Sequence, residues 1–159
     1  MIQVAILVLI SVLIYVFIQD FKSRSVHVLQ LTGIFLMALV INYNATDLNL
    51  VDMGYNTVFI LINILALVLY FSIKNRSFTN PIDTHIGLGD IVFFLVITPL
   101  FDFRSFILFF IFGLLFSLIL YIGINWFKQM KTIPLAGCLS LFLIIHLMDK
   151  HWFKINTLF

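Results

Sequence analysis

Phe106-Ile-Leu-Phe-Phe-Ile-Phe-Gly-Leu-Leu-Phe-Ser-Leu-Ile-Leu-Tyr-Ile-Gly-Ile-Asn-Trp-Phe127 runs for 22 residues without a charge. A helix of that length is about 33 Å long, enough for the roughly 30 Å hydrocarbon core of a bilayer. The apolar residues form one continuous run and not a stripe at amphipathic spacing, so no face is reserved for water. The rest of the chain repeats this character. Of 159 residues 63% are hydrophobic and 10% charged, with a mean hydropathy of +1.18. Soluble domains carry about 25% charged residues, so too few polar groups are present to coat a water-soluble globule. The composition predicts an all-α, polytopic membrane protein, with residues 1–159 forming a single transmembrane domain.

Breaks at charges, asparagines and prolines divide the chain into apolar stretches at Ile2–Ile18, Val28–Tyr43, Tyr55–Ile73, Gly87–Phe101, Phe106–Phe127 and Ile133–Met148. About six transmembrane helices are therefore expected. The second and fourth stretches have only 16 and 15 residues. They call for local thinning of the bilayer or extension into the flanking loops. No basic residue precedes the first stretch and no small-residue cleavage site follows it, so it is expected to stay as a span. With six spans, Lys22, Arg24, Lys74, Arg76, Lys128 and Lys131 share one face, against Arg104, Lys150 and Lys154 on the other. The positive-inside rule then places both termini outside.

That topology sorts the acids. The chain has no glutamate and seven aspartates. Asp47, Asp52, Asp102 and Asp149 fall on the outer side, Asp20, Asp83 and Asp90 on the inner. Asp20 ends the first stretch and Asp90 opens the fourth, so two intervening crossings return the chain to the same face. Asp90 closes Gly87-Leu88-Gly89-Asp90, where a loop turns into an apolar helix and two glycines permit positive φ or close approach of another segment. An ordinary role is open to each acid. Asp90 could simply stabilise the positive end of its helix, and Asp20 could be an interfacial anchor paired with Lys22 or Arg24. Acids at a membrane edge are costly to insert, however, and two of them on separate helices facing one compartment form a functional-site hypothesis. Asp83, behind Pro81 and ahead of the two glycines, is the rival partner, on a loop.

Other chemistry is weaker. His27, His85, His146 and His151 form no metal-binding motif, and His27, His85 and Asp83 would meet only if their loops folded together. The single cysteine, Cys138, excludes a disulfide framework. Ser140 and His146 are six residues apart, which puts them on different faces of a helix and argues against a nucleophile with its base. Asn63 and Asn125 lie inside apolar stretches and are expected to bond across helices.

Three pieces taken in order carry a resemblance: Asp20 with Lys22 and Arg24 after the first helix, Gly87-Leu88-Gly89-Asp90 heading a later one, and Ile133-Pro134-Leu135-Ala136 opening the last. Together the chain resembles the type IV prepilin peptidases, the GxGD aspartic intramembrane proteases. The resemblance implies a transmembrane protease domain in a prokaryotic cytoplasmic membrane, its active site facing the cytoplasm. Asp20 and Asp90 match the family's catalytic acids, with Gly87, Gly89, Lys22, Arg24 and Pro134 in support. The implied partner is a prepilin or pseudopilin precursor, and no cofactor or metal is implied. The chain lacks the extra cytoplasmic segment associated with methylation, so methyl transfer is not expected, and Ile91 and Val92 stand where many members place a lysine. The loop from Lys74 to Gly89 is expected to clamp the substrate, and Pro134 to fix the start of the last helix or to serve as its first residue. Helix ends would make Asp90 the base and Asp20 the acid. A small proton- or ion-coupled transporter and a non-catalytic pilus or secretion assembly subunit are the readings from other classes.

Overall fold

The structure, a computed structural model, describes residues 2–46, 50–75, 87–127 and 133–149. Among them are six α-helices and no strand: α1 (Ile2–Ser23), α2 (Val28–Thr46), α3 (Leu50–Asn75), α4 (Leu88–Val96), α5 (Phe103–Phe127) and α6 (Leu135–Met148). Each apolar stretch of the sequence becomes one helix. Their polar side chains turn back on their own backbone, as Ser11 does to the Val8 carbonyl, Thr32 to Val28, Thr57 to Met53 and Ser117 to Gly113. In hydrocarbon such a bond satisfies a hydroxyl without a partner helix.

Three helices, α1, α3 and α5, are long and apolar enough to cross a membrane, and α2, α4 and α6 are apolar but shorter. Their outer faces carry large apolar side chains in the open, Trp126 at 89% and Ile73 at 76% exposure among them. An exposed surface of this kind fits lipid and not water. Three boundaries differ from expectation by five residues, the end of α4, at Val96 instead of Phe101, among them. Helix α1 continues past Ile18 to Ser23, which carries Asp20 into its last turn, and α3 begins at Leu50, five residues before Tyr55.

The core joins all six helices. Leu9, Leu13 and Val16 of α1, Ile34 of α2, Phe93 of α4, Phe106 of α5 and Leu139 and Leu143 of α6 are fully enclosed, with Ile60 of α3 against them. Helix α6 is the innermost element, buried from Ala136 through Ser140 and wedged against α1, α5 and α4. Close packing there needs Gly113, where a Cβ would meet the Leu139 side chain at 2.8 Å.

Helix α4 stops after nine residues and passes into a 3₁₀ turn, Thr98–Leu100, around Pro99. Proline has no N–H and cannot continue the helical ladder, so carbonyls at the break lose their partners. Two asparagines supply them. Buried Asn56 of α3 donates its amide to the Thr98 and Phe101 carbonyls at 3.1 and 2.9 Å, and Asn42 of α2 donates to the Pro99 carbonyl. Asn63, expected to bond across helices, instead donates to the Phe59 carbonyl of its own helix. The same end holds Tyr55 against Phe103 and the His146 ring against Phe101. The starts of α3 and α5 therefore lie beside the ends of α2, α4 and α6. That arrangement puts the starts of α2, α4 and α6 and the end of α1 together at the other end of the bundle.

Replacing Asn56 by alanine removes the donor of two carbonyls at once and is expected to cost about 1–3 kcal/mol. Asn63→Ala, which loses only a bond within its own helix, should stay within about 0.5 kcal/mol. Reversible unfolding in detergent micelles checks the contrast; equal losses would contradict it.

Candidate active site

The start of α6 is the anchor of the site. Pro134 caps it, and the first bond inside the helix runs from the Cys138 N–H to the Pro134 carbonyl at 3.0 Å. The N–H groups of the first helical turn have no carbonyl to reach. Two of them are taken by acids. The Ala136 N–H donates to Asp90 Oδ1 at 2.9 Å, and the next amide, Gly137 N–H, donates to Asp20 Oδ2 at 2.7 Å. Aspartates from α1 and α4, seventy residues apart, are thus held side by side on consecutive amides. Each keeps a second carboxyl oxygen outside these bonds, and the two groups interact electrostatically.

Local structure explains each placement. Asp20 is 6% exposed, in the last turn of α1, and its carbonyl accepts the Arg24 N–H at 3.0 Å. Arg24 takes φ 53°, the left-handed conformation that often closes a helix, here without a glycine. The turn brings the Arg24 guanidinium within electrostatic reach of Asp20. Lys22, exposed in the last turn of α1, has the charge that a helix C-terminus favours. The following helix is tied to α1 by Gln30, which donates to Gln19, the residue before Asp20.

Asp90 occupies the third position of α4, after the Gly87 cap, and its carboxyl also accepts a hydrogen bond from the Gly87 backbone. This is the reach of a first-turn acid back to the cap residue. The ordinary role considered for Asp90 is therefore real, and it coexists with the bond to α6. Neither glycine of the motif uses positive φ: no glycine among the described residues does. Gly87 instead makes room, since a Cβ there would meet Asp90 Oδ2 at 3.0 Å, whereas one at Gly89 would touch Val26 only at an ordinary 3.9 Å. Pro134 stands at the cap of α6, one position before the first-residue role considered for it.

The structure brings Asp20, Asp90, Gly87, Arg24 and Pro134 together around the start of α6. Asp83, His85 and most of the expected clamp, residues 76–86, lie outside the described residues. Among those described, no group of three His, Cys or acidic side chains is placed to hold a metal ion. Ser140 donates to the Gly137 carbonyl at 2.7 Å, while His146 packs on Phe101 and Phe109 at the far end, so the two do not form a nucleophile and base.

Ala136 and Gly137 were missed in the sequence because they act through backbone amides, which every residue type has. Gly137 carries one legible signal, a glycine in the first turn of an apolar helix. A Cβ there would meet Asp20 Oδ2 and the Phe21 ring at 3.1 Å each, so α1 reaches α6 only because that atom is absent. The pair, Asp20 buried and Asp90 half-buried, can donate, accept or share a proton, and the arrangement suits acid–base chemistry on a bond brought to the end of the bundle.

No family model, curated protein or solved structure matches the chain.

Gly137→Ala should force α1 and α6 apart and destabilise the protein by about 1–3 kcal/mol, the usual range for overpacking. Gly89→Ala should leave stability within about 0.5 kcal/mol. Thermal unfolding in micelles distinguishes the two, and a Gly137→Ala protein as stable as the parent would contradict the close approach.

Proposed function

We propose that this chain is a membrane-embedded aspartic endopeptidase that removes the leader from type IV prepilin or pseudopilin-like precursors. One observation carries the reading: Asp20 and Asp90 accept hydrogen bonds from the successive amides of Ala136 and Gly137. An acid whose only task is to cap its own helix has no need of a second acid beside it. Two like charges in one site resist ionising together, so the pair holds one proton between them. The ionised carboxylate takes a proton from water as the water oxygen attacks the scissile carbonyl carbon. The protonated partner donates to the carbonyl oxygen, and the tetrahedral species collapses as the leaving nitrogen gains a proton. Carboxyls and water suffice, and no cofactor or metal enters.

Helix ends separate the two acids less than their own helices imply. Asp20 sits at the negative end of α1, but its carboxyl also faces the positive end of α6, as does that of Asp90. Helix ends therefore no longer single out Asp90 as the base and Asp20 as the acid, and the reading requires only that one carboxyl serve each role.

In this reading all six helices cross a prokaryotic cytoplasmic membrane, both termini lie outside and the acid pair meets the cytoplasmic face. Lys22, Arg24, Lys74, Arg76, Lys128 and Lys131 then fall on the cytoplasmic side. The substrate is an apolar helix whose basic leader stays in the cytoplasm, and the scissile bond leaves helix geometry so that water can reach it.

Co-expression with a prepilin from the same genome tests the proposal, with leader removal followed by gel shift. The parent chain should cleave, and Asp20→Asn and Asp90→Asn should each lower the rate by at least about 10²–10⁴-fold at unchanged protein level. Cleavage by both variants would remove the acid pair from the mechanism. Acid-dependent ion flux without cleavage would favour a transporter, and pilus assembly that survives loss of both carboxyls an assembly subunit.

A further inference from the structure

Ser11, Tyr15 and Gln19 follow one another at four-residue spacing on α1 and so share one stripe of that helix. Opposite them α2 presents Leu29, Gln30 and Gly33. Between the two helices runs an open groove of about 320 Å³, lined by Ser11, Val12, Tyr15, Leu29, Gln30 and Gly33. Gly33 leaves it open, because a Cβ placed there would have no atom within 4 Å. From Ser11 to Gln19 the stripe is about 12 Å long, roughly two turns of helix.

The groove is apolar along most of its length and polar where it nears the acid pair. Gln30 is buried; its Oε1 accepts the His27 N–H at 3.2 Å and its Nε2 donates to Gln19 Oε1. Gln19 precedes Asp20, and its NH₂ group has no hydrogen-bond partner among the described residues. Among the described residues an amide donor is thus left over on Gln19, which is bonded to the groove residue Gln30 and stands one residue before Asp20.

We propose that this groove receives the apolar helix of the substrate and that the Gln19 NH₂ holds a backbone carbonyl of the segment unwound for cleavage. The inference rests on the peptidase reading. Its chemistry is that of a peptide in hydrocarbon: a helix opened for hydrolysis exposes carbonyls that no water satisfies, and each needs a donor from the enzyme. A lipid acyl chain has no such requirement and would leave the amide unused. Gln30 acts through Gln19 as a positioning residue, since its two bonds fix where the Gln19 amide stands.

Purified protein in phospholipid vesicles with a full-length precursor provides the test. Gly33→Phe places a ring in the groove, from a Cβ that itself meets no atom within 4 Å, and should raise KM so that kcat/KM falls about tenfold or more. Gly54→Phe and Gly123→Phe, at glycines with equally open surroundings on α3 and α5, should stay within about twofold of the parent. A benzophenone side chain at position 29 reports occupancy without turnover; in the Asp90→Asn background it should attach to the precursor. Parent-like kcat/KM in Gly33→Phe, or attachment to lipid alone, would overturn the groove assignment. Failure of the parent chain itself to cleave any precursor would contradict the reading of the acid pair instead.

Discussion

The first amides of α6 set the terms for everything around them. A helix that begins inside a bundle, behind a proline cap, carries N–H groups that neither its own carbonyls nor bulk water can satisfy, and in a lipid-facing protein such groups are expensive. Asp20 and Asp90 meet that demand. The reverse demand is met by the same two bonds, because a carboxyl drawn into the bundle needs donors. Each acid and each amide is acceptable there because of the other, and the pairing ties α1, α4 and α6 to one point. Gly137 lets α1 come near enough, and Gly87 leaves space for the Asp90 carboxyl.

The opposite end of the bundle obeys the same rule with different groups. Pro99 breaks α4 and frees carbonyls, and Asn42 and Asn56 donate to them. Two acceptor-rich acids therefore sit where helices begin, and two donor amides where a helix breaks. Apolar packing through Phe93, Phe106, Leu139 and Leu143 fills the space between. The short helix α4 is tied at its start through Asp90 and at its end by the two asparagines, which fixes the level at which the acid pair stands. Function and fold share these interactions: the bonds that orient the carboxyls are among those that close the bundle.

Much of this was legible in the residues. Uninterrupted apolar runs located all six helices, because a helix in apolar surroundings needs little beyond length and hydrophobicity. The expectation that successive helices alternate in direction paired Asp20 with Asp90, and in the structure the end of α1 and the start of α4 do meet at the start of α6. Less legible were features that do not depend on side-chain type. The amides of Ala136 and Gly137 exist in any sequence, and only the burial of α6 makes them matter. Gly87 was open to two readings, positive φ and close approach of another segment; its role is to leave space, and for the carboxyl of its own helix. Asn56 was hidden because it stands second in its apolar run and reads as an edge residue, whereas α3 starts at Leu50 and carries it inside the helix; Asn63, well inside the run, drew attention to a bond that stays within the helix.

Thiol cross-linking measures the central juxtaposition directly. In a Cys138→Ala background, cysteines at positions 20 and 90 should be joined within one chain by a short bifunctional thiol reagent in native membranes. A pair at positions 20 and 52, which the fold places at opposite ends of the bundle, should not. Efficient joining of 20 to 90 alone is the result the account predicts. Failure of that pair, or equal joining of 20 to 52, would contradict the meeting of the two acids on which the proposed chemistry rests.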